Sequence, residues 1–263
     1  VAIKVPKKQQ AAYNPAMWDE PPTPSYSPTM WDELRILRHV RHPHIALFHG
    51  ACIQSEGTVL LVMEVVRGKC LDTFLSHWHE RWQFLKHQAA RQAIMQDVCE
   101  ALAYLHSLKP CVVHGDLKPN NMHVELRERG PFAKLLDFGL ARTVTRHEAR
   151  ITGGTRHYMA PELRAPSNRA RGLRADRAVD VFSLGRLLQL LATGEPPDGR
   201  GRLWSPSPTL DQEWATVIAA SLQDRPEMRP PIRVVQEQLI FAQHDSFPWL
   251  LSEAECCEPR SAR

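Results

Sequence analysis

Apolar positions along this chain change period partway through, and the change orders the fold. Residues 1–5 are β-branched apart from Ala2 and Lys4, as a buried strand should be. From Asp32 a helix is predicted, with Ile36, Leu37 and Val40 one and two turns apart, and His42-Pro43 ends it. Residues 45–53 and 59–66 read as strands joined by the turn Ser55-Glu56-Gly57, and Gly68 breaks the second. A short helix follows at 71–75. Next comes a long one over 88–107 with Ile94, Val98, Ala101, Leu102 and Leu105 on its inner face. Short strands are expected near 122–124 and 133–136, and beyond Glu162 only helix and loop. Residues 179–191 form the most apolar helix, while 214–222 and 232–241 are amphipathic. Strands first and helices afterwards predict an α+β fold.

Residues 6–30, rich in Pro, Gln, Ser and Thr, read as a loop. Within it, Pro15-Ala-Met-Trp-Asp-Glu20 returns as Pro28-Thr-Met-Trp-Asp-Glu33, an offset of 13 residues. Met and Trp are rare, so a local duplication accounts for the repeat better than chance.

At 263 residues, 43% apolar and 24% charged, the chain has the size and composition of one large globule or two lobes sharing a cleft. A net charge of +4 gives no nucleic-acid footprint, and the basic run from Arg164 to Arg177 reads as a solvated loop. The six cysteines form no Cys-x-x-Cys pair and no zinc-like spacing with histidine, which predicts reduced thiols. No apolar run approaches a membrane span and the first residues read as a strand rather than a signal peptide, so the expected location is cytoplasmic.

The chemistry concentrates in His114-Gly115-Asp116-Leu117-Lys118-Pro119 and Asn121. A carboxylate, an ammonium two positions on and an amide five positions on form a phosphoryl-transfer loop. The first orients a hydroxyl, the second neutralises the moving group, and the third helps hold a metal ion. Asp137-Phe138-Gly139 follows sixteen residues after Asn121, then Ala160-Pro161-Glu162, and Val1-Ala2-Ile3-Lys4 opens the chain. In this order and spacing the four motifs resemble the protein kinase signature set. The resemblance runs over residues 1–243, leaving 244–263 as a tail, and it implies a two-lobe kinase fold. Residues 1–66 would form the N-terminal β lobe and 67–243 a mainly helical C-terminal lobe. The family places a Gly-rich strand-turn-strand before the Val-Ala-Ile-Lys strand. The first glycine here is Gly50, so the expected N-terminal lobe is incomplete.

The resemblance implies ATP and Mg²⁺ as cofactors, protein substrates, and a role for each motif residue. Asp116 would be the catalytic carboxylate, Lys118 its electrostatic partner, and Thr155 would bond both; Asn121 and Asp137 would ligate Mg²⁺. Lys4 would grip phosphates while paired to a glutamate on the first helix. Glu20 is followed by Pro21, Pro22 and Pro24, whereas Glu33 precedes an apolar stripe, so Glu33 is the expected partner. Removing the 13-residue offset from the 29 positions between Lys4 and Glu33 leaves 16, closer to a compact kinase. Met63, Glu64 and Val66 fall in the hinge, with Ala2 and Met63 lining the adenine pocket opposite His123, where kinases usually carry an aliphatic residue. His114 and Phe138 would pack with Leu37 and a residue near Phe48. Asp180 would anchor the catalytic loop and Glu162 would pair with Arg229.

Asp116-Leu-Lys118, with Gly154-Thr155, is similar to Ser/Thr kinases. The phrases 47–52, 180–185 and 225–230 most resemble the tyrosine-kinase-like group of those enzymes. Gly115 stands where many kinases carry an Arg that meets a loop phosphate. The resemblance therefore implies a segment ordered by packing or by a partner, an activator or scaffold. The competing reading is a kinase-shaped scaffold with weak or no phosphoryl transfer.

Overall fold

The structure, a computed structural model, describes residues 1–5, 28–54, 59–79, 88–144, 150–151, 153–164, 173–174, 176–197 and 212–241. The first copy of the repeat with Glu20, the 55–57 turn and the tail after residue 243 lie outside them.

Three short strands open the fold: β1 (Ala2–Lys4), β2 (Phe48–Ile53) and β3 (Val59–Met63). They form an antiparallel sheet in the order β1-β3-β2, with Lys4 opposite Leu61 and Ala2 opposite Met63. Helix α1 (Pro28–Leu37) lies on this sheet with Met30, Ile36 and Leu37 buried, beside the fully buried Leu61. It starts four residues before the expected Asp32. Proline fits a first helical turn because the amide it lacks has no intrahelical partner there. The expected strand at 45–53 begins only at Phe48. Residues 44–46 leave the first sheet: Leu135 donates its N–H to His44 O (2.9 Å) and accepts that of Ala46 (2.9 Å). The expected strand at 59–66 likewise ends at Met63.

Past β3, β4 (Lys69–Cys70) leads into α2 (Leu71–His79), longer than the predicted short helix, and then α3 (Gln88–Ser107). In α3 the buried residues Ala90, Ile94, Val98, Ala101 and Leu105 recur every three or four positions. This stripe makes α3 the spine of the main core, where Ile94, Val98 and Leu105 each contribute roughly 1.5–3 kcal/mol. Strands β5 (Cys111–Val113), β6 (Met122–Arg127), β7 (Gly130–Leu135) and β8 (Arg142–Val144) follow. They pair as β4-β6-β7 and β5-β8, framing the loops that carry Asp116 and Asp137.

The expectation of only helix and loop beyond Glu162 is corrected by one small ladder. β9 (Arg150–Ile151) pairs antiparallel with β10 (Leu173–Arg174). After α4 (Pro161–Arg164), helix α5 (Arg177–Thr193) is buried on nearly every face, as its continuous apolar sequence requires. Asp176 caps it by accepting from Ala178 N–H, and Gly194 ends it at φ 73°, a left-handed conformation that favours glycine. Helices α6 (Gln212–Ser221) and α7 (Ile232–Phe241) complete the helical part. Among the described residues no helix is long and apolar enough to cross a membrane.

Candidate active site

The loop between β5 and β6 is built around one carboxylate. Asp116 Oδ2 accepts from Lys118 Nζ at 2.7 Å and Asn121 Nδ2 at 3.1 Å. Its Oδ1 accepts from the backbone N–H of Thr155 at 3.1 Å and the Thr155 hydroxyl at 3.2 Å. Lys118 Nζ also donates to Thr155 Oγ1 at 3.0 Å, closing a ring of three side chains. A 3₁₀ turn over Pro119–Asn121 makes this possible, swinging Asn121 back so that Nδ2 also reaches Asp116 O at 2.9 Å. The Asn121 amide oxygen has no hydrogen-bond partner among the described residues.

The loop is held from behind. Asp180, fully buried on α5, accepts the N–H of His114 on Oδ2 and that of Gly115 on Oδ1, both at 2.9 Å. His106, in the last turn of α3, bonds Asp180 Oδ2 at 2.9 Å. Burial raises the Asp180 carboxyl, but the His106 bond and charge outweigh it and leave the group below its ordinary range. Gly115 takes φ 75°, and a Cβ there would meet Leu140 O at 3.0 Å, so this position suits only glycine without strain.

A second cluster surrounds Lys4. Its ammonium donates to Glu33 Oε1 at 2.6 Å and Oε2 at 2.8 Å, and to Asp137 Oδ1 at 2.6 Å. Burial works against that charge, but Glu33 and Asp137 together leave the Lys4 pKa raised. Glu33, 2% exposed, also accepts the Phe138 N–H at 3.1 Å, so one carboxylate joins β1, α1 and the Asp137 loop. Burial raises its pKa more than Lys4 lowers it. Asp137 is raised by burial too, yet Lys4 and the Gly139 N–H at 3.1 Å leave it lowered and ionised. Its backbone sits at φ 58°, a conformation that costs on the order of 1–3 kcal/mol in a non-glycine residue and clusters at functional sites. The Asp137 Oδ2 atom has no hydrogen-bond partner among the described residues.

His114 and Phe138 lie with ring centroids 5.1 Å apart, and Phe138, Leu37 and Phe48 belong to one buried cluster. His114 accepts Asp116 N–H on Nδ1 and bonds Leu136 O through Nε2, so both ring nitrogens are engaged in holding the loop. Arg229 grips Glu162 with two 2.7 Å bonds. Of the hinge residues, Glu64 is tied to Leu47 O through its N–H and to Lys134 through its carboxylate, and Val66 is half-buried. Ala2 and Met63 face each other across β1 and β3, while His123 sits on β6 opposite Lys134 and Cys70. Its Nδ1 is buried with no hydrogen-bond partner, and burial lowers its pKa.

Sequence reasoning missed His106, whose partner Asp180 lies 74 positions away with no spacing rule to connect them. It also missed the His44 site. His44 Nδ1 meets Ala133 O at 2.9 Å, and Nε2 lies 3.4 Å from Asp97 and 3.5 Å from Glu100.

The family profile described as Protein kinase domain matches residues 1–237. Calcium/calmodulin-dependent protein kinase type II of Caenorhabditis briggsae is 32% identical over 83% of this chain and 40% of its own length. U-box domain-containing protein 70 of Oryza sativa subsp. japonica is 36% identical over 64% of this chain and 20% of its own. The serine/threonine-protein kinase STE7 homolog of Candida albicans is 34% identical over 62% of this chain and 26% of its own. The chain thus spans between 20% and 40% of the length of these relatives.

Proposed function

Because this chain belongs to the protein kinase family, we propose that it transfers the γ-phosphoryl group of ATP to Ser or Thr hydroxyls of proteins. The observation that carries the reading is the closed ring of Asp116, Lys118 and Thr155 beside Asn121. Asp116 orients the incoming hydroxyl and accepts its proton, and Lys118 lies 2.7 Å away to stabilise charge that develops on the transferred group. Thr155 fixes both in one geometry.

Lys4, held by Glu33, would bind the α- and β-phosphates, and its raised pKa keeps it cationic. Asn121 Oδ1 and the second oxygen of Asp137 suit Mg²⁺, which takes few protein ligands beside substrate phosphates. When bound, the metal supplies charge neutralisation on the phosphate oxygens. Ala2, Met63, Glu64 and Val66 would border the adenine. The kinase domain proper would be residues 1–243, with 1–66 and 67–243 as its lobes, in the tyrosine-kinase-like group. The Ser/Thr kinases among its relatives support the substrate class. One observation favours a binding module instead: His123 buries an unpaired Nδ1 where the family usually places an aliphatic side chain.

Titration of a fluorescent ATP analogue with and without Mg²⁺ tests the site. Asp137→Ala and Lys4→Ala should each weaken Mg²⁺-dependent binding. Asp116→Asn should keep it while abolishing phosphorylation of Ser and Thr peptides by the complete protein. Unchanged affinity in both of the first two variants would sink the assignment.

A further inference from the structure

A cavity of about 610 Å³ lies between the C-terminal end of α3, the start of α5 and the start of α7. Its volume falls in the range of small-molecule sites, roughly 300–1,000 Å³. None of Lys4, Asp116, Asn121 or Asp137 lines it.

Two of its wall residues are anchors of the machinery described above. His106 holds Asp180, which holds the amides of His114 and Gly115. Arg229 holds Glu162 at the end of Ala160-Pro161-Glu162. A molecule in this cavity touches the supports of both the catalytic loop and the segment that carries Thr155.

The lining states what kind of molecule fits. Val181, Ile232, Pro226 and Pro231 give an apolar surface. Arg229 spends all five donors, on Glu162, Ala178 O, Gln223 O and Asp224 O, and so acts as wall rather than ligand. Arg233 is exposed and has no described partner, while Arg177 keeps its terminal nitrogens after its Nε meets Cys111 Sγ at 3.1 Å. Helix α7 starts at the cavity after two prolines. The Pro231 carbonyl accepts from Val234 and Val235, leaving the amides of Ile232 and Arg233 without an acceptor among the described residues. Asp176 and Glu227 also line the cavity, but Asp176 is committed to capping α5. His106, only 6% exposed, has no described partner on Nδ1.

We propose that this cavity binds a small amphipathic organic anion, a carboxylate or phosphate ester on a compact apolar body. The acid group meets Arg233 and the first amides of α7. The body lies on Val181, Ile232 and the prolines, and occupancy changes the order of the catalytic loop through His106 and Asp180.

Fluorine NMR of the chain with 4-fluorobenzoate, 4-fluorophenyl phosphate and neutral 4-fluorobenzyl alcohol tests this, and which acid binds more tightly identifies the headgroup. The expected result is saturable broadening of at least one anion and not of the alcohol, weakened at least fivefold in Arg233→Ala. Arg233 is exposed and outside the phosphoryl-transfer site, so this variant should fold; Ala103→Trp, which fills the cavity, is the second variant. At saturation the ¹⁵N-detected amides of His114 and Gly115 should shift. Equal binding of the alcohol, no anion binding at millimolar concentration, unchanged affinity in Arg233→Ala, or unmoved loop amides would each overturn the proposal. The readout needs neither ATP nor activity, so it stands or fails apart from the kinase reading.

Discussion

Lys4 and Glu33, 29 positions apart, meet through both carboxylate oxygens at 2.6 and 2.8 Å. The same carboxylate takes the Phe138 amide, so losing it releases the lysine and the Asp137 loop together. Glu33→Ala should lower kcat/KM of the complete protein by ~10² or more, by analogy with the loss of one preorganised charge-stabilising group. Glu20→Ala should leave it unchanged, and so should excision of residues 15–27, since loop closure costs only ~0.6 kcal/mol per doubling of length. Peptide phosphorylation by each variant is the measurement. Equal losses for the two glutamates would show that the wrong copy of the repeat had been chosen.

On the kinase reading, Gly115 would offer no side chain to a phosphate on an activation segment, and its φ of 75° disfavours any replacement. Phosphatase treatment of the active, complete protein should change its rate by less than about twofold, whereas a large fall would contradict this. Gly115→Ala should cost roughly 1–3 kcal/mol of stability through backbone strain and the 3.0 Å approach to Leu140 O. Denaturant unfolding would show it as a lower midpoint with an unchanged slope.

Asp97 and His44 pull pH dependence in opposite directions. Burial raises the Asp97 carboxyl to about 7, so the folded chain holds a proton that the unfolded chain releases from about pH 4 upward. The stability this group contributes is therefore full below pH 4 and lost as pH rises through about 7. Burial lowers His44, so its contribution is present above the ordinary histidine value and lost as pH falls through the folded one. Asp97→Asn can still accept the Ala133 N–H and removes only the first effect. Its Tm should converge on that of the parent as pH falls to 4 and exceed it increasingly up to pH 8, by about 2–4 °C for each kcal/mol recovered. A difference that does not vary with pH would refute the assignment.

Arg229→Met removes the planar fork that is bonded to both Glu162 oxygens and three carbonyls. Thermal unfolding should register a loss of about 3–5 kcal/mol, the usual cost of breaking a buried ion pair. A shift smaller than 1 kcal/mol would mean that the bridge is dispensable.

What could be read in the sequence follows the range of the forces involved. Helices α3 and α7 were legible to their last residues because Ile94, Val98 and Leu105, or Ile232, Val235 and Leu239, repeat with the helix itself. Asp116, Lys118 and Asn121 were legible because an offset of only five positions fixes their mutual reach. The β5–β8 and β9–β10 ladders were not, since two or three residues contain no period and their pairing is set by distant packing. His106 was illegible for a related reason: a histidine ending a helix is an ordinary choice, and only the fold reveals Asp180 beside it.

The two amides held by Asp180 belong to consecutive residues, so one side chain fixes the two successive peptide planes that lead into Asp116. Asp180 itself is immobilised in the most enclosed helix of the protein. The disorder that Asp116 would otherwise have to lose before acting in the proposed reaction is removed once, when the chain folds. On the proposed phosphoryl transfer, turnover would start from a loop already cooled into position, and the entropy of its alignment would be a property of the core rather than of the catalytic cycle.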